Sequence, residues 1–326
     1  MIGLRRYRAL AIALLIAALT LAACGGDDSP GDDKPSASDR AQDRKDIARL
    51  IKQATGPNED ARSAQIDATI DLEVEGVPRY KGPILLTANG SFELAAGADV
   101  PDVNLDVGLM LNEKAIGGSL IIADSKSFIA LGDTGYRLPG DINEKIIAPA
   151  ADLDNGLIKS AGMLYIRPDR WQKNGRIVGL EEIDGVQTEH ARSDIRADRF
   201  FTDVSRLVRL LTLLRVTEAV GLPQKIGPKA RAALARSVES AQGDIFVGKE
   251  DHVVRKATLE GSLVVAKKDQ AILGGMTGAK LSADINISRV GEPQDVGAPK
   301  KLGSYANLQL SLDALGESIR RDLRGK

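Results

Sequence analysis

Cysteine is nearly absent from this chain: it has one, Cys24. A lone cysteine excludes a disulfide framework and a thiolate zinc centre. Histidine is almost as scarce, and His190 and His252 are too far apart in sequence to suggest a paired metal set. Aromatic residues make up 3% of the chain, so a core has to come from Leu, Ile, Val and Ala. Neither sign of charge prevails, with 44 Lys and Arg against 45 Asp and Glu. That balance gives no support for nucleic-acid binding, which calls for a basic stripe. No Gly-x-Ser-x-Gly elbow is present to present a serine nucleophile. Gly243 to Lys249 fits Gly-x4-Gly-Lys, but Glu250 stands where a phosphate loop needs Ser or Thr for magnesium. Neither an enzyme nor a cofactor is expected.

What is present begins at the amino terminus. Arg5, Arg6 and Arg8 precede an uncharged apolar run, Ala9 to Ala23. This run has the length of a signal-peptide core and falls short of the ~20 residues a spanning helix needs. It closes on Leu21-Ala22-Ala23-Cys24, which looks like a bacterial lipobox. Small residues before the cut fit a narrow peptidase cleft, and the cysteine sulfur is the nucleophile for diacylglyceryl transfer. The alternative is an ordinary signal peptide that happens to contain a cysteine, and the next segment argues against it. Gly25 to Gln42 is rich in Gly, Pro, Ser and Asp without a large apolar residue, the composition of a flexible tether. The expected organisation is a leader over 1–23, an acylated Cys24 with a tether over 24–42, and one domain over 43–326. Two or more acyl chains give stable membrane attachment, so the expected location is the outer face of the cell membrane.

Along the domain, Ile47, Leu50, Ile51 and Ala54 fall at helical spacing, and Gly56-Pro57-Asn58 ends that helix. From Gln65 to Glu75 the period changes to two, as it does around Val103 to Leu111. Strands are also expected at Gly117–Ala123, Ser127–Leu131, Asp244–Val247, His252–Thr258 and on through Val265, and at Leu281–Ile287. Asn89-Gly90-Ser91, a sequon by pattern, reads as a turn. Helices are expected within Ile142–Lys159, over Phe200–Leu222 and over Lys229–Ala241. The predicted fold class is α+β: one large curved antiparallel sheet, a half-open β-barrel, with helices covering its concave face.

The order of these features resembles the actinobacterial LppX/LprAFG family of lipoproteins, whose fold is akin to the carriers LolA and LolB. The resemblance rests on the lipobox, on the amphipathic strand Gln65–Glu75, and on Ser127–Pro139 with its core Phe128-Ile-Ala-Leu-Gly-Asp-Thr-Gly-Tyr-Arg-Leu-Pro139. It rests also on Glu182–His190, which looks like an Asp-Gly-x-x-Thr-x-His segment. The chain departs from the family in its extra helical sequence around 200–241 and in its carboxyl-terminal stretch. The resemblance implies an apolar cavity that carries or presents acylated lipids or glycolipids without catalysis, with a membrane exporter as a further candidate partner. Candidate lining residues are Ile70, Leu72, Leu105, Val107, Leu109, Leu207, Leu211, Leu214, Leu259, Leu263 and Ile285. From the residues alone a second reading stays open: a structural or transporter-accessory lipoprotein whose helix 200–222 fills the core. His190 reads as a hydrogen-bonded structural histidine and His252 as a solvated one beside a polar turn.

Overall fold

A computed structural model describes residues 37–77, 82–111, 114–150, 159–161, 167–213, 217 and 224–323. Twelve strands form one sheet in the order β12-β6-β5-β4-β3-β2-β1-β11-β10-β9-β8-β7. The first meander comprises β1 (Ser63–Glu75), β2 (Ile84–Glu93), β3 (Asp102–Leu111), β4 (Lys114–Ala123), β5 (Lys126–Leu131) and β6 (Thr134–Arg137). The second comprises β7 (Gln172–Ile183), β8 (Val186–Ile195), β9 (Val238–Gly248), β10 (Val254–Val264) and β11 (Gly278–Ser288). The two are joined where β1 pairs antiparallel with β11, from Gln65 opposite Ser288 to Glu75 opposite Gly278. Every pairing is antiparallel except that of the two-residue β12 (Leu302–Gly303) with β6. The sheet is not closed: β12 and β7 are its edges. The expected α+β architecture with a large open antiparallel sheet is what the chain adopts.

Strand alternation places one face of each strand in a common core. Ala64, Ala68, Ile70 and Leu72 of β1, Leu86 and Ala88 of β2, and Ala283, Ile285 and Ile287 of β11 are buried there. The register brings Ile70 opposite both Leu86 and Ala283, so the apolar stripe runs unbroken across neighbouring strands. The opposite face carries Asp67, Thr69, Asp71, Glu73 and Glu75 of β1, and Asp106 of β3.

Helices cover the apolar face. They are α1 (Ala37–Thr55), α2 (Gly140–Ile147), α3 (Ala197–Leu213), α4 (Pro228–Ser237), the single turn α5 (Lys267–Gln270) and α6 (Tyr305–Leu323). Helix α3 buries Phe200, Phe201, Val204, Leu207 and Val208, which lie three to four apart and share one side. Helix α1 lies along β7, burying Ile47 and Leu50.

Several sequence expectations need correction. Helix α1 starts at Ala37, inside the segment read as tether. The helix expected over Lys229–Ala241 stops at Ser237, because Val238 already belongs to β9. Strands β2 and β7 were not anticipated. Asn89-Gly90-Ser91 is not a turn but the middle of β2, with Asn89 opposite Asp67 and Gly90 opposite Leu105. Glycine is required there by close approach of β3: a Cβ on Gly90 would lie 1.9 Å from the carbonyl oxygen of Asn104. Replacing Gly90 with alanine is expected to force β2 and β3 apart and cost about 2 kcal/mol, in the range of overpacking. Urea unfolding followed by circular dichroism measures this.

Candidate functional site

Helix α3 does not seal against the sheet along its whole length. Near its amino end an apolar cleft remains, bounded by Ala197, Phe200 and Phe201 of α3 and by strands β9, β10, β11 and β1. Leu72, Leu259, Gly261, Leu263, Ala279 and Leu281 make its floor. Its two polar side chains, Ser240 and Ser262, are satisfied by each other, with Oγ–Oγ at 2.7 Å. A Cβ on Gly261 would be accommodated in ordinary van der Waals contact, its nearest heavy atom Ser240 O at 3.4 Å. The void open to water-sized spheres is about 40 Å³, room for about three waters at roughly 10–15 Å³ each. An acyl chain therefore requires α3 to move outward.

The candidate residues fall into three groups. Leu72, Leu259 and Leu263 line this cleft. Ile70, Leu105, Leu207 and Ile285 are buried in the continuous core, and Val107, Leu109 and Leu211 pack against it partly buried. Leu214 and Cys24 lie outside the described residues. Sequence reasoning did not single out Phe200, Phe201 and Gly261 as lining residues. The one adjacent aromatic pair in an aromatic-poor chain, and a glycine on an otherwise apolar strand face, were the signals that could have found them.

The amino end of α3 is pinned beside the cleft. Trp171 is fully buried and packs edge-on against Phe200, with ring centroids 5.1 Å apart. Phe200 packs in turn against Phe201 at 5.2 Å. The indole Nε1 donates to Asp203 Oδ2 at 3.0 Å, and the backbone N of Arg167 donates to the same oxygen at 3.0 Å. Arg206 Nη1 donates to Asp203 Oδ1 at 2.9 Å. The backbone N of Arg196 donates to the Trp171 carbonyl, so α3 is held just ahead of its first turn. Arg167 also grips Asp169 through two bonds, which raise its pKa above the ordinary guanidinium value.

Both histidines are engaged. His190 stands between two carboxylates, Nδ1 at 2.6 Å from Glu181 Oε1 and Nε2 at 2.5 Å from Asp244 Oδ1, and stacks on Phe246. Arg192 Nε donates to the same Asp244 oxygen at 2.8 Å. Ala191 and Ile245 belong to the main core, so by alternation this cluster lies on the other side of β8 and β9. Hydrogen-bonded to carboxylates at both ring nitrogens, the imidazole ties β7, β8 and β9 together.

His252 corrects an expectation. It is half-buried rather than solvated, adopts φ 55° after the β9 turn, and receives the Gln53 amide at Nε2. Gln53 is oriented by Arg49, which also binds Glu189 at 2.9 Å. Hydrogen bonding to Glu189 raises the Arg49 pKa above its ordinary value. This chain of contacts fixes the end of α1 to β8 and to the β9–β10 turn.

The polar face of the sheet is crowded with carboxylates. Burial, reinforced by the neighbouring Glu73, raises the pKa of Asp71. Burial likewise raises that of Asp102, and the carboxylates Asp124 and Glu93 add to the effect. Among the described residues no three His, Cys, Asp or Glu side chains are grouped to hold a metal ion, and no helix is long and apolar enough to cross a membrane.

No protein-family profile and no curated protein matches the sequence. Comparison with solved structures does find neighbours. LprF of Mycobacterium bovis is 12% identical, with a TM-score of 0.36 over 81% of this chain and 98% of its own. The Mycobacterium tuberculosis lipoprotein LppX is 12% identical, with a TM-score of 0.35 over 80% of this chain and 100% of its own. LprF and LppX are structural neighbours of this chain. A further one is an outer membrane lipoprotein-sorting protein domain from Vibrio parahaemolyticus, 6% identical with a TM-score of 0.19 over 85% of this chain and 99% of its own.

Proposed function

We propose that the chain is an extracytoplasmic lipoprotein, acylated at Cys24 and tethered to the membrane, whose domain shields the acyl chains of a lipid or glycolipid. The leader occupies 1–23 and the tether begins at Cys24. The observation that carries the reading is the cleft under α3: aliphatic and aromatic walls, no unpaired donor, and a helix pinned at one end. Burial of each ligand methylene there gains about 0.8 kcal/mol. The small, partly open void fits the unliganded state, and an entering chain has to displace Phe200 and Phe201 from the strands beneath them.

Trp171 is the sole tryptophan and touches Phe200, a wall of the cleft, so it reports occupancy directly. A brominated long-chain fatty acid is expected to quench its emission saturably. Filling the cleft with Gly261→Leu is expected to weaken that quenching at least about tenfold, the loss of two methylenes' worth of burial, while leaving the circular dichroism intact. Absence of quenching at saturating ligand would refute the reading. The size of the void, about 40 Å³, favours a second one in that case: a filled-core envelope lipoprotein acting as scaffold or transporter accessory.

A further inference from the structure

Near-neutral net charge conceals a strong segregation of sign. Around the mouth of the cleft the exposed side chains are basic: Arg196 and Arg199 at the start of α3, Lys229 and Arg236 on α4, Lys267 and Lys268 on α5. These helices form one contiguous layer. Arg231 of α4 reaches Thr202 of α3 at 3.5 Å, and Arg236 binds Asp269 of α5 at 3.0 Å. Two acids on these helices, Asp203 and Asp269, are buried, and each pairs with one arginine, Arg206 and Arg236, which leaves the remaining cations in excess. The exposed acids near the mouth are Asp198, 3.6 Å from both Arg196 and Arg199, and Glu239. The far face of the sheet is the reverse, with Asp67, Glu73 and Glu75 on β1 and Asp106 on β3 all exposed. At the corner where β10 leads to α5, Ala266 is exposed beside Lys267, three residues from the cleft residue Leu263.

We infer that the α3–α4–α5 face docks on an anionic phospholipid surface and holds the mouth of the cleft against the bilayer. Basic side chains at such a surface are attracted individually, and the acidic far face is repelled, so the molecule is both bound and oriented. The start of α5 then meets the headgroup region beside the opening, where an acyl chain passes without crossing water. The inference rests on the cleft being an acyl site for its purpose, but not for the docking itself.

The test uses the full chain with Cys24→Ser, which removes the sole native cysteine, and Ala266→Cys carrying a bimane label. The protein is held on vesicles by its amino-terminal apolar segment. One set is phosphatidylcholine alone; the other contains about a third phosphatidylglycerol, which supplies the negative surface potential. On anionic vesicles the label is expected to be shielded from iodide. Each basic side chain contributes about fivefold to docking, so Lys267→Glu with Lys268→Glu weakens it at least about 25-fold. Raising salt to about 0.5 M re-exposes the label, since exposed charges are then screened. A label equally open on both vesicles, or a double variant that docks like its parent, overturns the inference and assigns the cations to another anionic partner. Docking without fatty-acid quenching of Trp171 leaves the surface standing and removes the cleft reading instead.

Discussion

Truncating Trp171 to alanine is expected to destabilise the domain by about 3–5 kcal/mol, the range for deleting a large buried aromatic side chain. Two effects combine. The void left beside Phe200 and Phe201 cannot collapse easily, because both rings are already fixed edge-to-face. Asp203 also loses the indole donor while remaining 5% exposed, which leaves a buried carboxylate to Arg206 and the Arg167 backbone. Trp171→Phe separates the two. It keeps most of the packing and removes the donor, so its cost should be about 1–2 kcal/mol. Guanidinium unfolding followed by circular dichroism gives both values, since the fluorophore is absent from each variant. A Trp171→Ala loss no larger than that of Trp171→Phe would show that packing at this junction contributes little.

The second large effect is expected at Asp244. This carboxylate is 1% exposed and accepts from His190 and Arg192. Asp244→Ala leaves the Arg192 guanidinium and the His190 ring without their shared partner, and removing one member of a buried ion pair costs about 3–5 kcal/mol. His190 keeps Glu181, which is half exposed and a weaker substitute. Combining His190→Gln with Asp244→Ala should cost clearly less than the sum of the two single losses, because the imidazole is already stranded in the Asp244 variant. Additive losses would mean that the two residues act independently. Neither change is expected to alter fatty-acid quenching of Trp171, as the cluster lies across the sheet from the cleft.

Strong period-two segments were legible in the sequence, and they were those with one apolar and one wet face. Gln65–Glu75, Val103–Leu111 and Leu281–Ile287 fall inside β1, β3 and β11 because alternate residues there face solvent. Strand β7 escaped notice because it is an edge with shifts in register between Lys173 and Arg176 and between Ile177 and Gly179, which break the alternation. Strand β2 escaped because Asn89-Gly90 carries a turn signal while answering a steric demand from Asn104, a residue distant in sequence. The end of α4 was misjudged since Val238-Glu239-Ser240-Ala241 continues a helical spacing locally, and pairing in the sheet overrides it. The apolar composition of the site was legible; its location was not. Every lining candidate came from a strand or helix face that is buried, and burial alone cannot tell a filled core from the place where α3 lifts away.

The closure of β1 on β11 has a consequence for how this chain comes into being. A polypeptide emerging amino end first delivers β1 and its meander early, with one flank of β1 bare until Ser288 arrives to meet Gln65. Such distant pairings carry a loop-closure penalty before they return any contact energy, and they make folding slow. Completion of the sheet is thus a late event, reached only after nearly the whole chain has emerged. Until then the flank of β1 is a template for illegitimate strand addition. The Asp, Thr and Glu residues spaced along its wet face keep that nascent ribbon charged and solvated through the wait.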